Sequence, residues 1–451
     1  MPRQGNTDVN GLNRRKYLFL ASGTLAVTAG CSAQTDGGDS GSGDNGSGNG
    51  SSGNNSSSGN GSSGNTQITY YDRYEWCEEY STEYNSEGDD YAVETQVNPT
   101  TSGGAYQSAI SQISAGEAPE VIGLDVVQIA NFAELGALRD IGSFASNLEY
   151  REDIFESLRE DFVTYNDTTY AMPFWIDLSV YYYNKAHFEE AGLDPENPPE
   201  TWDEFLAANK QLTTSDRTGT ASSFGGFFFL PTAWSNGANL FSDDGSECVI
   251  NSDAGVETLE FWAKLNQSGN STDLVSTEWQ AAHDRFVSGN ASIVTSGGFA
   301  LGYARENNPE MIENGNLGVG LLPAPDSNAE RTSFLGGNSI VIPKQSEGNQ
   351  LEAAQDFIRW VNTDPGMGVT LNNGYFPARS SGFDLETAQE NEEIFSSFET
   401  ALEQGTAPPI NPDYRAVSSA LYSGMAPALN GEESAQSVLD DVVERINNNV
   451  L

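Results

Sequence analysis

The side chains that most often serve as catalytic bases are scarce in this sequence. Its 451 residues include only two histidines, His187 and His283. A Ser-His-Asp or Cys-His arrangement would have to use one of them as its base. His187 falls at the start of a predicted surface helix, and His283 lies on a predicted helix beside Asp284 and Arg285. We therefore predict structural roles for both histidines and no catalytic residues.

Metal-binding patterns are equally weak. Zinc sites need Cys and His at ligand spacing, and the sequence has no such cluster. Acidic residues surround Gly245 in the segment 243–247, but they lack the twelve-residue spacing of an EF-hand. Asp-Gly between two apolar runs is a turn signal, so this segment predicts a hairpin turn. We predict neither a metal nor any other cofactor.

The charge is strongly acidic. Lysine and arginine total 20 against 65 aspartate and glutamate residues, which gives a net charge of −45. Nucleic-acid binding needs a basic face, which this composition excludes. So many like charges would repel one another at ordinary ionic strength. At molar salt the Debye length is about 3 Å and this repulsion is screened, so the composition favours the surface of a halophile's protein. An ordinary acidic secreted protein is the alternative.

The first 66 residues have the pattern of an export signal followed by a flexible tether. Residues 1–30 combine twin arginines, Arg14 and Arg15, with an apolar stretch at 17–30 and small residues before Cys31. This order is typical of a twin-arginine export signal, and the junction resembles a lipobox that would place a lipid on Cys31. Residues 31–66 are mostly Gly, Ser and Asn, which predicts a flexible tether between membrane and folded part.

From residue 67 onward, strand and helix patterns alternate. Strand patterns occupy 67–71, 91–97 and 120–124, with helical patterns between and after them. A second strand-rich region begins near 179–184, and the C-terminal third is again helical. This alternation predicts an α/β fold with a mostly parallel sheet, whose ligands lie beyond the carboxyl ends of the strands.

Several blocks of residues occur in a recognisable order. They are Tyr-Ala-Met-Pro at 170–173, Tyr-Asn-Lys-Ala-His-Phe-Glu-Glu-Ala-Gly-Leu at 183–193, Pro-Glu-Thr-Trp-Asp-Glu-Phe at 199–205, Phe-Val-Ser-Gly-Asn-Ala-Ser-Ile-Val at 286–294, Ser-Gly-Gly-Phe at 296–299, Leu-Pro-Ala-Pro at 322–325, Gly-Gly-Asn at 336–338 and Pro-Pro-Ile-Asn-Pro-Asp-Tyr at 408–414. Over residues 67–450 the chain resembles the family 1 extracellular solute-binding proteins, maltose-binding-protein-like partners of ABC importers, here of haloarchaeal lipoprotein type. It departs from the family at Ile293-Val294-Thr295, where Met or another apolar residue commonly opens the Gly-Gly turn.

The resemblance implies two α/β lobes with a ligand cleft between them. The expected N-lobe spans 67–175 plus 338–376, and the expected C-lobe spans 176–337 plus 377–451. Three crossovers, near 174–177, 334–338 and 375–378, would act as hinges, and glycine or proline flanks each of them. Because a disulfide across a moving cleft would hinder closure, we favour separate buried thiols for Cys77 and Cys248, although pairing is permitted outside the cell.

A sugar cleft needs flat aromatic rings for stacking and fixed polar groups for the hydroxyls. Trp175 and Trp234 are the strongest candidates because each lies in a Pro- or Gly-bounded segment that we predict to be a loop. By contrast, Trp202, Trp262 and Trp360 follow helical periodicity and are predicted to be core. The full set of predicted ligand contacts is Tyr71, Asp72, Asp125, Trp175, Asp177, Trp234, Asn236, Phe299, Asn338, Tyr375, Tyr414 and Arg415.

The resulting hypothesis is a monomeric, lipid-anchored receptor on the outer face of the cell membrane. It would capture a sugar or oligosaccharide and deliver it to the membrane subunits of an ABC permease. The alternatives are a secreted carbohydrate-active enzyme, a surface adhesin, or a binding protein for a non-sugar solute. A carboxylate pair for glycoside hydrolysis would be uninformative among 65 acidic residues.

Overall fold

The computed structural model describes residues 66–451 except 89, 100, 101, 160, 161, 277 and 391. The predicted export signal, nearly all of the tether and the predicted lipidation site Cys31 lie outside the described residues. The described chain carries two mixed β-sheets covered by helices, and this confirms the two-lobed α/β prediction.

The strands are short and include three two-residue pieces. They are β1 Thr66–Asp72, β2 Tyr91–Val97, β3 Val121–Asp125, β4 Thr164–Tyr165, β5 Thr168–Thr169, β6 Ala171–Leu178, β7 Val180–Asn184, β8 Thr218–Ala221, β9 Ala291–Ser296, β10 Leu317–Leu321, β11 Leu335–Val341 and β12 Phe376–Pro377.

Helices fill most of the connections. They are α1 Glu78–Ser86, α2 Ser102–Ala115, α3 Ile129–Glu134, α4 Gly142–Ser146, α5 Glu156–Arg159, α6 Lys185–Ala191, α7 Trp202–Leu212, α8 Gly226–Ser235, α9 Asp253–Gln267, α10 Trp279–Val287, α11 Phe299–Asn307, α12 Pro309–Glu313, α13 Gly348–Trp360, α14 Asp364–Asn372, α15 Glu386–Gln389, α16 Glu392–Glu403, α17 Tyr414–Gly424, α18 Ala426–Leu429 and α19 Ala435–Asn449. Short 3₁₀ helices occupy Glu75–Cys77, Val126–Gln128, Arg151–Asp153 and Ser380–Asp384.

The larger sheet has the strand order β12-β6-β11-β3-β1-β2. Strand β1 pairs parallel with β2 and β3, as predicted for the first strand-helix units. The prediction of a mostly parallel sheet is wrong, because the pairs β3–β11, β11–β6 and β6–β12 are antiparallel. Strands β11 and β12 return to this sheet only after the four-stranded sheet has formed, and local alternation carries no information about the direction in which β6, β11 and β12 pair.

The smaller sheet has the order β10-β7-β9-β8 and is also mixed. Alternation along β7 divides its side chains between two cores. Tyr181 and Tyr183 pack in one core with Phe205 and Trp262 of the covering helices, while Tyr182 packs in the other. Each face of this sheet is therefore buried, which explains the continuous aromatic run at 181–183.

The chain changes sheets close to the predicted crossovers. It leaves the six-stranded sheet after Leu178, and it returns between Leu321 and Leu335. The predicted segments 174–177 and 334–338 overlap the end of β6 and the start of β11, and 375–378 includes β12. The lobe boundaries and the hinge motion stay predictions.

Several local predictions are confirmed. Thr201 and Glu204 form a reciprocal capping box at the start of α7. Gly245 has φ +70° in a turn that brings Phe241 opposite Cys248. Cys77 and Cys248 are separate buried free thiols. Within the described part of the chain, no helix combines the length and apolar character needed to span a bilayer.

Candidate functional site: an aromatic cluster beside an arginine-aspartate pair

Four aromatic side chains from the segment after β1, from β6 and from the residue before β12 contact one another, and we call Tyr74, Trp76, Trp175 and Tyr375 the aromatic cluster. The rings of Trp76 and Tyr375 stack with 5.1 Å between centroids and 19° between planes. Trp175 lies 4.4 Å from Tyr375 and 5.2 Å from Tyr74, measured between ring centroids. Tyr74 and Trp76 follow β1 directly, so the end of a parallel strand positions them.

The four members of the cluster differ in their exposure. Trp175 is 1% exposed and Tyr375 is 8% exposed, whereas Tyr74 and Trp76 are half-buried. Among the described residues, the buried indole Nε1 groups of Trp76 and Trp175 have no hydrogen-bond partner. Buried donors are normally satisfied, so two unpartnered indole N–H groups in one cluster leave donors for an oxygen acceptor.

An ion pair borders the cluster. Arg73 Nη2 lies 3.0 Å from Asp125 Oδ1, and the guanidinium carbon is 3.9 Å from the centroid of the Tyr74 ring. The backbone N–H of Asp125 donates to the Tyr106 hydroxyl at 3.0 Å. Burial lowers the pKa of Arg73, but Asp125 and the neighbouring Tyr74 and Tyr106 raise it more, so that its pKa lies above the usual value. Arg73 stays charged and its charge is compensated locally by Asp125.

Beneath the ion pair lies a fully buried carboxylate, Asp72. It accepts the backbone N–H groups of Arg73 at 2.7 Å and Tyr74 at 3.0 Å. It also accepts hydrogen bonds from the Tyr70 hydroxyl at 2.6 Å and from the Asn338 side-chain amide at 3.2 Å. The structure therefore places Asp72 and Asn338 as supports of the turn that presents Arg73 and Tyr74, rather than on an accessible ligand surface.

Asp177, near the end of β6, connects the two lobes. Its carboxylate accepts a hydrogen bond from the backbone N–H of Gly298, just before α11, at 2.6 Å. It accepts another from the backbone N–H of its neighbour Leu178 at 3.0 Å. A Cβ on Gly297 would overlap this carboxylate. Burial raises the pKa of Asp177 to about 7, although the two N–H donors oppose the shift.

The predicted contact Phe299 belongs to a second aromatic group on the four-stranded lobe. Its ring lies 5.6 Å from Trp279 and 5.2 Å from His283, centroid to centroid. His283 is buried, with Nε2 2.6 Å from the Ser296 hydroxyl and Nδ1 2.6 Å from the Trp279 carbonyl. Burial lowers the pKa of His283, and these contacts give it a structural environment.

Other predicted contacts lie elsewhere. Tyr71 and Tyr414 are buried in the two cores, and the Tyr71 hydroxyl donates to the Ala105 carbonyl at 2.7 Å. Asn236 donates to the Ala254 carbonyl at 2.9 Å at the end of α8. The exposed Arg415 lies against Gly103, where a Cβ would overlap its guanidinium.

The expectation that Trp175 and Trp234 occupy exposed loops is wrong. Trp175 lies within β6 and Trp234 lies near the end of α8. Pro173 is accommodated in β6 beside a register shift, and Pro231 is accommodated inside α8, so neither proline ends its element. Of the helical Trp residues, Trp262 and Trp360 are buried as predicted, whereas Trp202 is only half-buried.

Sequence reasoning missed three residues of the site: Arg73, Tyr74 and Trp76. Four predicted contacts lie at the site, namely Asp125, Trp175, Asp177 and Tyr375. The predictions omitted the segment that follows the first strand. The available signal was the charged and aromatic run Asp-Arg-Tyr-Glu-Trp at 72–76, directly after β1. Residues at the carboxyl end of a parallel strand are the expected ligand positions in an α/β fold.

The two lobes touch beside this site. The Asn131 amide donates to the Pro412 carbonyl at 3.4 Å, and Val127 packs against both cores. Among the described residues, no group of three His, Cys, Asp or Glu side chains is arranged to hold a metal ion. The site therefore combines stacked aromatic rings, unpartnered indole donors and one compensated ion pair.

Comparison with known proteins agrees with this architecture. The family described as bacterial extracellular solute-binding protein matches residues 79–396. The chain is 25% identical over 325 residues to the sn-glycerol-3-phosphate-binding periplasmic protein UgpB of Yersinia pestis, covering 68% of this chain and 71% of the relative. It is 24% identical over 395 residues to UgpB of Escherichia coli K12, covering 81% and 86%.

Solved structures show the same fold. Maltose-bound MalE3 of T. maritima has a TM-score of 0.74 at 23% identity, covering 85% of this chain and 99% of that one. A Thermotoga lettingae solute-binding protein bound with α-D-tagatose has a TM-score of 0.72 at 24% identity, covering 86% and 100%. The chain belongs to the bacterial extracellular solute-binding protein family, as its blocks of residues predicted.

Proposed function

We propose that this protein is the extracellular receptor of an ABC importer and that it binds an uncharged sugar or oligosaccharide in the interlobe cleft. The two unpartnered indole N–H groups of Trp76 and Trp175, inside a stacked aromatic cluster, carry this proposal. Aromatic rings provide faces for the C–H side of a sugar, and indole donors match its hydroxyl oxygens. This arrangement needs no nucleophile or base, and the proposed role is binding rather than catalysis.

The charges near the cluster favour an uncharged solute. Arg73 is paired with Asp125, and Asp177 adds a second carboxyl group close enough to interact electrostatically with both. An anionic solute would have to compete with Asp125 for the guanidinium. An uncharged sugar accepts hydrogen bonds from Arg73 without breaking the pair.

The second candidate is a phosphorylated polyol. Two observations favour it: Arg73 offers a guanidinium beside the cluster, and the curated relatives named above bind sn-glycerol-3-phosphate. For this chain the candidate requires Arg73 to leave Asp125, or Arg415 to supply a second cation from the other lobe. We therefore place it below the uncharged sugar.

The experiment is a thermal unfolding series on the full chain at molar salt. Maltose, ribitol, D-tagatose and sn-glycerol-3-phosphate serve as probes. A ligand that binds only the native state stabilises it by RT ln(1 + [L]/Kd), so a binder should raise the unfolding temperature saturably. We expect at least one of the three uncharged probes to do so and the phosphate to have no effect. The binder should also lower the radius of gyration, because contact with both lobes favours closure.

A matched pair of variants locates the effect. Arg73→Ala removes the cleft guanidinium and should abolish the stabilisation by the uncharged probe. Arg359→Ala removes a comparable Arg-Asp pair on the exposed face of α13 and should leave it unchanged. Stabilisation by the phosphate alone would select the second candidate, and stabilisation by none of the four would reject the proposed cleft function.

The export and anchoring part of the proposal is supported by the sequence alone. Twin arginines, an apolar stretch and small residues precede Cys31, and a Gly-, Ser- and Asn-rich segment separates Cys31 from β1. A lipid on Cys31 would hold the receptor at the outer face of the membrane, and the tether would let it reach the permease. We propose a monomer, because one chain contains both lobes of the cleft.

Replacing Cys31 with serine tests the anchor. We expect the Cys31→Ser protein to fold normally and to appear in the medium, because the lipid is the only proposed membrane attachment. Cell fractionation with an antibody measures the distribution, and Cys248→Ser is the control because that thiol is buried in a lobe. A Cys31→Ser protein that stays with the membrane would contradict the lipid anchor.

A further inference from the structure

A concavity lies at the end of α8. Its volume is about 310 Å³, and seven residues line it. The lining residues are Trp234, Gly237, Ala238, Asn239, Thr406, Ala407 and Pro409. We call this concavity the Trp234 pocket. It shares no residue with the aromatic cluster, with Arg73 or with Asp125.

The indole of Trp234 is held rigidly at this pocket. It stacks on Phe334 with 5.7 Å between centroids and 15° between planes, while the residue as a whole is only half-buried. Phe334 is 6% exposed and packs in the second core. A flat ring fixed by a buried partner and still accessible is a pre-organised surface for stacking, because little side-chain entropy remains to be lost.

The rest of the lining matches a small polar ligand with an apolar face. None of the seven residues is charged, although the chain carries a net charge of −45. Asn239 presents an exposed amide, and the Thr406 hydroxyl lies 2.8 Å from that of Thr332. An amide and a hydroxyl supply both donors and acceptors, and the volume is at the lower end of ordinary small-molecule sites.

We propose that the Trp234 pocket is a second saccharide site, which binds one uncharged pyranose ring on the indole of Trp234. A cation has no carboxylate there to pair with, and an anion has no basic side chain. The seven lining residues come from the end of α8, the residues after it and the segment 406–409, and none of them belongs to the aromatic cluster. Binding in this pocket should therefore not require Arg73.

The test uses the full chain labelled with 5-fluorotryptophan and observed by fluorine NMR at molar salt. The methyl glycosides of glucose, galactose and mannose are the probes. The Trp234 resonance is assigned by its loss in Trp234→Phe, and those of Trp76 and Trp202 likewise. We expect at least one glycoside to shift the Trp234 resonance saturably, in the parent chain and equally in Arg73→Ala.

Matched variants decide the role of the pocket. Trp202 is the control, because it is also half-buried and stacks on Phe261 at 5.1 Å and 10°. Trp234→Ala should weaken the glycoside at least tenfold, whereas Trp202→Ala should leave its affinity unchanged. Should Trp234→Ala fail to fold, Asn239→Ala alters an exposed side chain and should weaken the same glycoside several-fold.

The outcomes separate this proposal from the function of the cleft. A Trp234 resonance that responds to no glycoside overturns the second site, whatever the Trp76 resonance does. A Trp234 shift that disappears in Arg73→Ala also overturns it, since the pocket would then only report closure. A silent Trp76 resonance with a responsive Trp234 resonance would instead tell against sugar binding in the cleft.

Discussion

Replacing Trp175 with alanine should lower the free energy of unfolding by about 3–5 kcal/mol, as for other buried aromatic residues. Trp175 is 1% exposed, and its ring contacts Phe174 and the other three members of the aromatic cluster. Truncation removes that buried area and leaves a cavity beneath Tyr375. Denaturant unfolding at constant salt measures the loss.

The loss of stability in Trp175→Ala is compared with the losses in other tryptophan variants. Trp360→Ala should lose a similar amount because Trp360 is 7% exposed, and Trp202→Ala should lose less because Trp202 is half-buried. Trp175→Phe retains most of the ring but removes the unpartnered Nε1 donor, so it should reduce sugar binding more than stability. A smaller loss of stability for Trp175→Ala than for Trp202→Ala would contradict the packing described here.

The second large effect concerns pH and Asp177. Its pKa is raised from 3.8 to about 7 by burial, so the folded protein binds this proton more tightly than the unfolded chain does. Stability from this group is fully present below about pH 4 and falls as the pH rises towards 7. One pKa unit corresponds to about 1.4 kcal/mol, so the decline is on the order of 4 kcal/mol at most.

Asp177→Asn should remove this decline, so its stability relative to the parent should increase between about pH 4 and pH 7. Melting temperatures across that range, at constant salt, give the comparison. Asp153 is the control of opposite sign, because hydrogen bonds from Ser380, Ser381 and Arg379 outweigh its burial and lower its pKa to about 2. Its contribution is present above about pH 4 and is lost as the pH falls towards 2. A difference between Asp177→Asn and the parent that does not change with pH would refute the raised pKa.

Most of the fold followed from local patterns. The β1, β2 and β3 strands, the capped helix α7 and the buried run in β7 each have a sequence signal that depends only on neighbours in the chain. Direction within the sheets did not follow, because β6 and β11 meet through residues far apart in sequence. The site was predicted only in part for the same reason: Asp125, Trp175, Asp177 and Tyr375 come from three separate segments.

The residues by themselves determined the acidic surface charge, the export and tether pattern, the alternation of strand and helix, and the family blocks. Only the tertiary structure decided the surroundings of Trp175 and Trp234. At Trp175, a register shift in β6 places Trp175 opposite Asn338 and Pro173 opposite Ser339, so the two-residue alternation of a strand is broken at Phe174. Phe174 and Trp175 are both buried, as is the whole run 171–176, because β6 lies inside the sheet between β12 and β11. Trp234 has a similar proline-containing context, but α8 continues through Pro231 and brings its ring onto Phe334, about one hundred residues further along the chain. Neither outcome depends on local sequence, because each is set by a partner that only the folded chain brings into contact.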